Sequence, residues 1–125
     1  MSDETSRAAR LARLRFPLYA RDVYRHEGWR IVESGTVDGA LLGLNGLDWH
    51  PDTFAARKNQ AVELPLLVAR YPGSGAFGRL VERLESQGFR VTVATPLGEF
   101  REHLARGGWI IDSMGPHGEI WRRSD

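Results

Sequence analysis

The sequence predicts a single α/β domain, residues 1–125, built on a mixed β-sheet. Three patterns support this fold class. Residues 63–109 read as strand, glycine turn, helix and strand, followed by a second short helix; residues 29–49 alternate like an antiparallel meander; and residues 109–123 read as a C-terminal hairpin. A chain of 125 residues has room for only one hydrophobic core. We therefore expect a compact sheet, antiparallel in its N-terminal half, with the glycine turn at its centre.

Composition excludes several classes of function. The chain carries 17 Lys+Arg against 16 Asp+Glu, so its charge gives no support to wholesale nucleic-acid binding. It has no cysteine, which excludes disulfides, thiolate metal sites and a cysteine nucleophile. The four histidines lack the spacing of a metal site. Because neither a signal peptide nor a membrane span is visible in the sequence, we expect a cytoplasmic protein that does not enter a membrane.

Residues 1–16 predict a basic amphipathic helix. Ser2 is a suitable N-cap, and Ala8 and Leu11 belong to an apolar side. The positive charges on the remaining surface are Arg7, Arg10, Arg13 and Arg15. Two interpretations stay open: a solvated terminal helix, or a basic stripe that contacts phosphates or a partner protein.

The meander is predicted from alternation and from turn dipeptides. Trp29 and Ile31 alternate with polar neighbours, which is typical of a strand. Asp38 and Gly39 form the dipeptide favoured in a type I′ turn, so residues 40–44 are expected to return as the partner strand.

Three other segments are less clearly patterned. Residues 18–28 fit a helix or a strand equally well. Residues 53–59, with Asp52 as a cap, fit a surface helix or a mobile loop. Pro65 lies inside an apolar strand pattern, so the strand either begins at Leu66 or is distorted at the proline. A distorted strand would leave backbone groups free to bind a ligand.

The glycine turn is followed by the clearest helix in the sequence. Phe77, Leu80, Val81 and Leu84 fall at positions i, i+3, i+4 and i+7, which places them on one apolar side. Gly88 follows as the expected left-handed C-terminal cap. After the next strand, Thr95 and Pro96 predict the start of another helix, with the threonine hydroxyl as its cap and the proline in its first turn, and Gly107 and Gly108 end it.

The turn itself predicts an anion site. Its glycines allow a close approach of the backbone to a ligand, and the first N–H groups of the following helix are unpaired. Gly73, Gly75 and Gly78 match a dinucleotide fingerprint. That interpretation requires an acidic residue after the next strand, where Thr95 and Pro96 stand, and more strands than the rest of the chain can supply.

With the preceding arginine, the turn reads Arg70-x-x-Gly73-x-Gly75. Residues 70–109 then resemble the C-terminal half of the GNAT superfamily of N-acetyltransferases, down to a helix that ends in a glycine and an aromatic residue, Gly108 and Trp109. The resemblance implies that the loop amides bind the pyrophosphate of acetyl-CoA (or CoA) and that the pantetheine arm follows the preceding strand. The implied cofactor-binding residues are Val68, Arg70, Gly73, Ser74, Gly75, Ala76, Phe77 and Gly78. Many members of the family carry a tyrosine at the position of Leu104.

An acetyltransferase also needs a base that takes a proton from its acceptor, a small-molecule or peptide amine. Glu63, at the start of the distorted strand, is the first candidate catalytic residue, Glu33 is the second, and Tyr71 is a candidate acid. Each also has a structural interpretation. Glu63, for example, also fits a solvent-facing residue on an edge strand.

Two alternative functions stay open. The first is a non-catalytic small α/β binding protein with a GNAT-like shape. The second is a nucleotide-sugar-binding protein, because residues 80–96 also resemble the opening unit of nucleotide-sugar glycosyltransferases. An exposed edge at the final hairpin would permit a homodimer.

Overall fold

The computed structural model describes residues 21–96, 98–115 and 118–124. The predicted helix over residues 1–16 lies outside this part of the chain. Within the ambiguous segment, residues 21–26 are helical and are called α1.

The described residues form a mixed α/β fold with one six-stranded sheet and four helices. After α1, the elements are β1 (Arg30–Glu33), α2 (Val37–Leu42), β2 (Phe54–Lys58), β3 (Ala61–Leu66), α3 (Ala76–Ser86), β4 (Arg90–Ala94), α4 (Gly98–Arg106), β5 (Trp109–Gly115) and β6 (Gly118–Arg123). The strand order is β1-β2-β3-β4-β6-β5. Only the β3–β4 pair is parallel among these neighbours, so the predicted mixed sheet with an antiparallel N-terminal half is confirmed. The C-terminal hairpin is also confirmed.

The return strand predicted over residues 40–44 is wrong, because this segment belongs largely to helix α2. The Thr36 hydroxyl accepts a hydrogen bond from the Gly39 N–H at 3.0 Å and so caps the helix. Gly43 ends α2 with a φ of 103°. A Cβ at Gly39 would lie 2.0 Å from the Glu33 carbonyl oxygen. Gly39 therefore allows the helix to pack against β1, and it makes no hairpin turn.

The partner of β1 is instead β2, in the segment where we predicted a surface helix or a mobile loop. Arg30 lies opposite Arg57, and Glu33 lies opposite Phe54. Residues 54–56 are all buried. The helix prediction failed because a strand covered on both faces has no apolar-polar alternation in its sequence.

The sheet is covered differently on its two faces. On the face that packs against α3 and α4, which we call the α3/α4 face, the core includes Ala55, Val62 and Leu64 together with Leu80 of α3 and Leu104 of α4. The opposite face, the α1 face, carries a smaller cluster of Tyr24, Phe54 and Ala56 with Trp29, Ile31 and Leu66. Side chains on β1 and β2 alternate between these two clusters, as strand geometry requires.

Helix α3 matches its prediction, whereas α4 begins later than expected. Leu80, Val81 and Leu84 are buried, and Gly88 adopts a left-handed φ of 89° just beyond the helix end. By contrast, α4 begins at Gly98. Thr95 therefore lies outside the helix that it was predicted to cap, and its φ of 50° is rare for a residue other than glycine.

At the other end of the sheet, β5 is the terminal strand in the order. Ile110, Ile111 and Met114 on this strand are exposed. The homodimer stays a prediction. In the described part of the chain, no helix combines the length and the apolar composition needed to cross a membrane.

Candidate functional site

The pairing of the two central parallel strands stops just before Pro65 of β3. They pair from Ala61 opposite Arg90 as far as Leu64 opposite Val93. Between the Ala56–Glu63 and Phe54–Leu66 pairs, the two residues Leu64 and Pro65 lie opposite the single residue Ala55, which is a β-bulge. Proline also has no N–H to donate to a neighbouring strand. Of the two alternatives for this strand, the distortion at Pro65 is confirmed, and the start at Leu66 is wrong because β3 begins at Ala61.

Beyond the bulge, the backbone of Val68 is not free. Its N–H donates to the Thr53 hydroxyl at 2.9 Å, and its carbonyl accepts from the His50 N–H at 2.8 Å and from the Thr53 hydroxyl at 3.2 Å. Thr53 is fully buried. The expectation that this segment offers its backbone to a ligand is therefore wrong at Val68, because a threonine distant in sequence satisfies both groups.

The glycine loop follows, with two residues in the left-handed region. Gly73 has a φ of 83° and Gly75 a φ of 84°. The Ser74 N–H donates to the Tyr71 carbonyl at 3.2 Å and closes a tight turn. The left-handed conformation explains why glycines occupy these two positions.

The amides at the head of α3 have no acceptor in the described structure. The Arg79 N–H donates to the Gly75 carbonyl at 3.1 Å, which is the first hydrogen bond of the helix. The N–H groups of Ala76, Phe77 and Gly78 precede it and have no partner within the helix. No described residue accepts a hydrogen bond from them, or from the N–H of Gly73 or Gly75. Within the described part of the chain, these five N–H groups are therefore unpaired, and the anion site stays a prediction.

Two arginines tie the loop to the segment before β2. Arg79 donates to the Ser74 carbonyl at 2.8 Å and pairs with the Asp48 carboxylate at 3.3 Å. Arg70 donates through Nε to the Gly46 carbonyl at 2.6 Å, and its own N–H bonds to the Asp48 carbonyl at 2.9 Å. Arg70 thus links the start of the loop to residues 46–48.

The loop borders a cavity of about 400 Å³, which we call the loop cleft. Its wall runs from Trp49, Leu67 and Ala69 through the loop to Phe100 and His103 of α4. Six of the eight predicted cofactor-binding residues line it: Gly73, Ser74, Gly75, Ala76, Phe77 and Gly78. Val68 and Arg70 are not part of its lining.

The sequence analysis missed the position of His103. Leu104, where the GNAT resemblance implies a tyrosine, is fully buried in the core and does not line the loop cleft. The residue before it, His103, does line the cleft, on the same side of α4 as Phe100. The i, i+3 spacing of Phe100 and His103 is the sequence signal that would have placed them together.

The first candidate base, Glu63, lies on the other face of the sheet. Its carboxylate accepts hydrogen bonds from the Tyr24 hydroxyl and, at 3.3 Å, from the Thr92 hydroxyl. Tyr24 is 4% exposed. Burial, and then the adjacent negative charge of Glu63, raise the pKa of the Tyr24 hydroxyl well above its ordinary value. Glu63 is thus a half-buried, oriented carboxylate between two ladders of the sheet, and it is not on an edge strand.

The other two candidate catalytic residues are not brought to Glu63. Glu33 lies on the α1 face, where its carboxylate pairs with Arg21 at 3.4 Å. The Arg21 guanidinium in turn stacks 4.5 Å from the centre of the Phe54 ring. Tyr71 is 68% exposed and lines the loop cleft. The two carboxylates therefore lie on the same face of the sheet, and Tyr71 lies with the glycine loop.

Glu63 also borders a second, larger concavity of about 660 Å³, which we call the sheet groove. Glu63 lies opposite Thr92, and Thr92 lies opposite Arg122, so these side chains form one row across β3, β4 and β6. Arg122 pairs with Asp112 of β5 at 2.9 Å. The row combines a carboxylate, a hydroxyl and a cation on a surface that a small polar molecule can reach.

Comparison with protein-family models, with curated proteins and with solved structures gave no match. In residues 21–96, 98–115 and 118–124, no group of three or more His, Asp or Glu side chains is placed to bind a metal ion.

Proposed function

We propose that the protein binds the pyrophosphate of an acyl-coenzyme A at the glycine loop and transfers the acyl group to an amine. The observation that carries this proposal is the row of free N–H groups at Gly73, Gly75 and the first three residues of α3, above the loop cleft. Such groups, with the positive end of a helix dipole behind them, favour an anion.

The surroundings of the loop suit an elongated ligand with an anionic end. The parallel strands β3 and β4 are not paired beyond Leu64 and Val93, and the loop follows the end of β3. The loop cleft, about 400 Å³ in volume, is within the size range of small-molecule sites. Its walls include the apolar side chains of Trp49, Leu67 and Phe100, which offer a surface to a pantetheine arm. The GNAT-like motif from Arg70 to Gly75 supports the same ligand.

When bound, acyl-coenzyme A would supply an activated thioester. The chain would supply the proton transfers. Glu63 is the candidate base, because Tyr24 and Thr92 hold its carboxylate in place at the sheet groove, and it acts only if the thioester reaches the α1 face past the point where β3 and β4 stop pairing. Tyr71, the candidate acid, and His103 both line the loop cleft, which shares no lining residue with the sheet groove, so they are proton donors only for a thiolate that leaves within that cleft.

One observation favours the non-catalytic alternative. Both oxygens of the Glu63 carboxylate already accept a hydrogen bond within the protein, which stabilises the carboxylate as a structural group. A protein that binds the cofactor without turnover would use the same loop and leave Glu63 as a link between α1 and the sheet.

The first experiment measures the melting temperature with coenzyme A, acetyl-coenzyme A and UDP-glucose. A specific ligand at a hundred times its dissociation constant adds about 2.7 kcal/mol to the free energy of unfolding. We expect this stabilisation with both forms of coenzyme A. Stabilisation by UDP-glucose alone would support the glycosyltransferase-like alternative, and indifference to all three would remove the cofactor proposal.

The second experiment separates binding from catalysis. We expect Glu63→Gln to lower the rate of acetyl transfer to an amine at least tenfold while coenzyme A affinity is unchanged, because the amide cannot accept a proton. Thr92→Val is the control: it removes one hydrogen bond to the carboxylate but keeps the proton acceptor, so most of the turnover should remain. Equal turnover by the Glu63→Gln protein would exclude Glu63 as the base.

A further inference from the structure

A third cavity, of about 490 Å³, which we call the basic concavity, opens on the α3/α4 face among β1, β2, α2 and the end of α3. Three arginines from three different elements line it: Arg30 from β1, Arg57 from β2 and Arg83 from α3. None of its lining residues belongs to the loop cleft. It is therefore a surface that the proposed cofactor site does not use.

Two of these arginines are placed against each other by the strand register. Arg30 and Arg57 are direct cross-strand neighbours in the antiparallel β1–β2 pair, and both line the same concavity. Like charges directly opposite each other destabilise a sheet. Asp38 offsets the charge of Arg30, so an additional anion would act mainly on Arg57.

The charges around the concavity do not balance. Arg30 pairs with Asp38 at 2.6 Å. Arg57 stacks 4.7 Å from the centre of the Phe89 ring, and Arg83 donates to the Leu41 carbonyl at 3.3 Å. Among the described residues, no carboxylate lies within 4.0 Å of the Arg57 or Arg83 guanidinium. Three positive charges and one negative charge leave the concavity with a net charge of about +2.

The C-terminal end of α3 does not cancel this charge with bare carbonyl groups. The Arg83 and Leu84 carbonyls accept hydrogen bonds from the Gln87 N–H, and the Glu85 carbonyl accepts one from the Gly88 N–H. These carbonyls are satisfied by the turn that ends the helix. They therefore have partners of their own and do not need the guanidinium groups as donors.

The rest of the lining combines three apolar residues, Val32, Leu41 and Leu42, with the polar residues Ser86 and Gln87. Val32 is buried in the sheet beneath it, and Leu41 of α2 is 60% exposed beside it. A ligand that fills this space has to present both an anionic group to the arginines and an apolar or planar body to these side chains.

We propose that the basic concavity binds a small phosphomonoester with an apolar body. A phosphomonoester carries a charge of about −1.5 to −2 at pH 7, which matches the excess positive charge better than a carboxylate or a sulfonate does. Its three terminal oxygens accept hydrogen bonds from more than one guanidinium at once. Arg57, held over Phe89 and without a carboxylate partner among the described residues, is the main contact.

The test uses two probes of similar shape and different charge, phenyl phosphate and benzenesulfonate. Each is titrated into the ¹⁵N-labelled protein at pH 7.5, and the dissociation constant is taken from the backbone amides of Leu41 and Gln87. We expect saturable binding of phenyl phosphate, at least tenfold weaker binding of benzenesulfonate, and phenyl phosphate binding that weakens as the pH falls below about 6.

Matched variants locate the contact. Arg57→Gln, and independently Arg83→Gln, should weaken phenyl phosphate binding about tenfold, because each removes a charged hydrogen-bond donor. Arg106→Gln removes an exposed arginine from α4 and should change nothing, since that residue is not part of the concavity. Equal affinity for the two probes, or unchanged binding in both Arg57→Gln and Arg83→Gln, would overturn the proposal. Coenzyme A binding at the loop is measured separately, from the backbone amide signals of Gly73 and Gly75. A negative result at one site therefore leaves the proposal for the other site unaffected.

Discussion

A substitution at Gly78 offers the sharpest test of the loop cleft. Gly78 is the third residue of α3 and lines the cleft. It differs from Gly73 and Gly75 because its φ is not left-handed. As at Gly73, a Cβ built on Gly78 would meet no atom within 4 Å. A side chain at Gly78 therefore enters open space without backbone strain, whereas Gly75→Val would combine blockage of the loop with strain at a φ of 84°.

The matched pair is Gly78→Leu and Gly78→Ala. Both replace a helical glycine with a better helix former, so both should stabilise the free protein by up to about 1 kcal/mol. For a chain of this length, that corresponds to an increase in melting temperature of about 3–4 °C. The leucine side chain should occupy the space in front of the free amides, whereas the alanine methyl should leave most of it open.

The assay is thermal unfolding with and without coenzyme A at a hundred times the dissociation constant of the parent protein. The parent and Gly78→Ala should each gain about 2.7 kcal/mol, or roughly 8–10 °C. Gly78→Leu should gain almost nothing while its own melting temperature stays at or above that of the parent. If Gly78→Leu gained as much from coenzyme A as the parent, the cofactor would bind elsewhere and the assignment of the loop cleft would be wrong.

Three further predictions concern stability, each measured by urea unfolding. Thr36→Ala should cost about 1 kcal/mol, because it removes the N-cap of α2, and Thr36→Ser should restore most of it. Thr53→Val keeps the shape of a fully buried side chain but leaves the Val68 N–H and carbonyl with fewer partners, so we expect a loss of about 2–4 kcal/mol; a loss below about 1 kcal/mol would contradict the role assigned to this hydroxyl. Because folding raises the pKa of the Tyr24 hydroxyl, the unfolded chain loses this proton at a lower pH than the folded protein does. The stability contributed by this group is therefore complete below about pH 10 and is lost as the pH rises beyond it. Tyr24→Phe should flatten that alkaline decline, and an unchanged slope would show that Tyr24 does not cause it.

The parts of the fold that were predicted correctly are those encoded by neighbouring residues. The apolar stripe of α3, the glycines of the loop and the C-terminal hairpin all depend on spacing within about a dozen positions, and each is present. The glycine loop was identified as a source of free amides for the same reason, since a helix start is a local feature.

The errors arose where two local signals competed. Asp38 and Gly39 are as acceptable in a hairpin turn as in the first turn of a helix, and the hydroxyl of Thr36 together with the close packing of Gly39 on β1 selects the helix. Residues 54–56 are buried on both faces of the sheet, so the alternation that marks a strand is missing from their sequence.

By itself, the sequence determined a mixed α/β domain with a glycine loop at the head of an amphipathic helix. Only the tertiary structure decided that Glu63 accepts a hydrogen bond from Tyr24, 39 positions away, that Thr53 satisfies the backbone of Val68, and that His103 borders the loop cleft while Leu104 is buried. The physical reason is that periodicity reports which side of an element is apolar. It does not report which distant element covers that side, or which distant hydroxyl, carboxylate or amide completes each buried hydrogen bond.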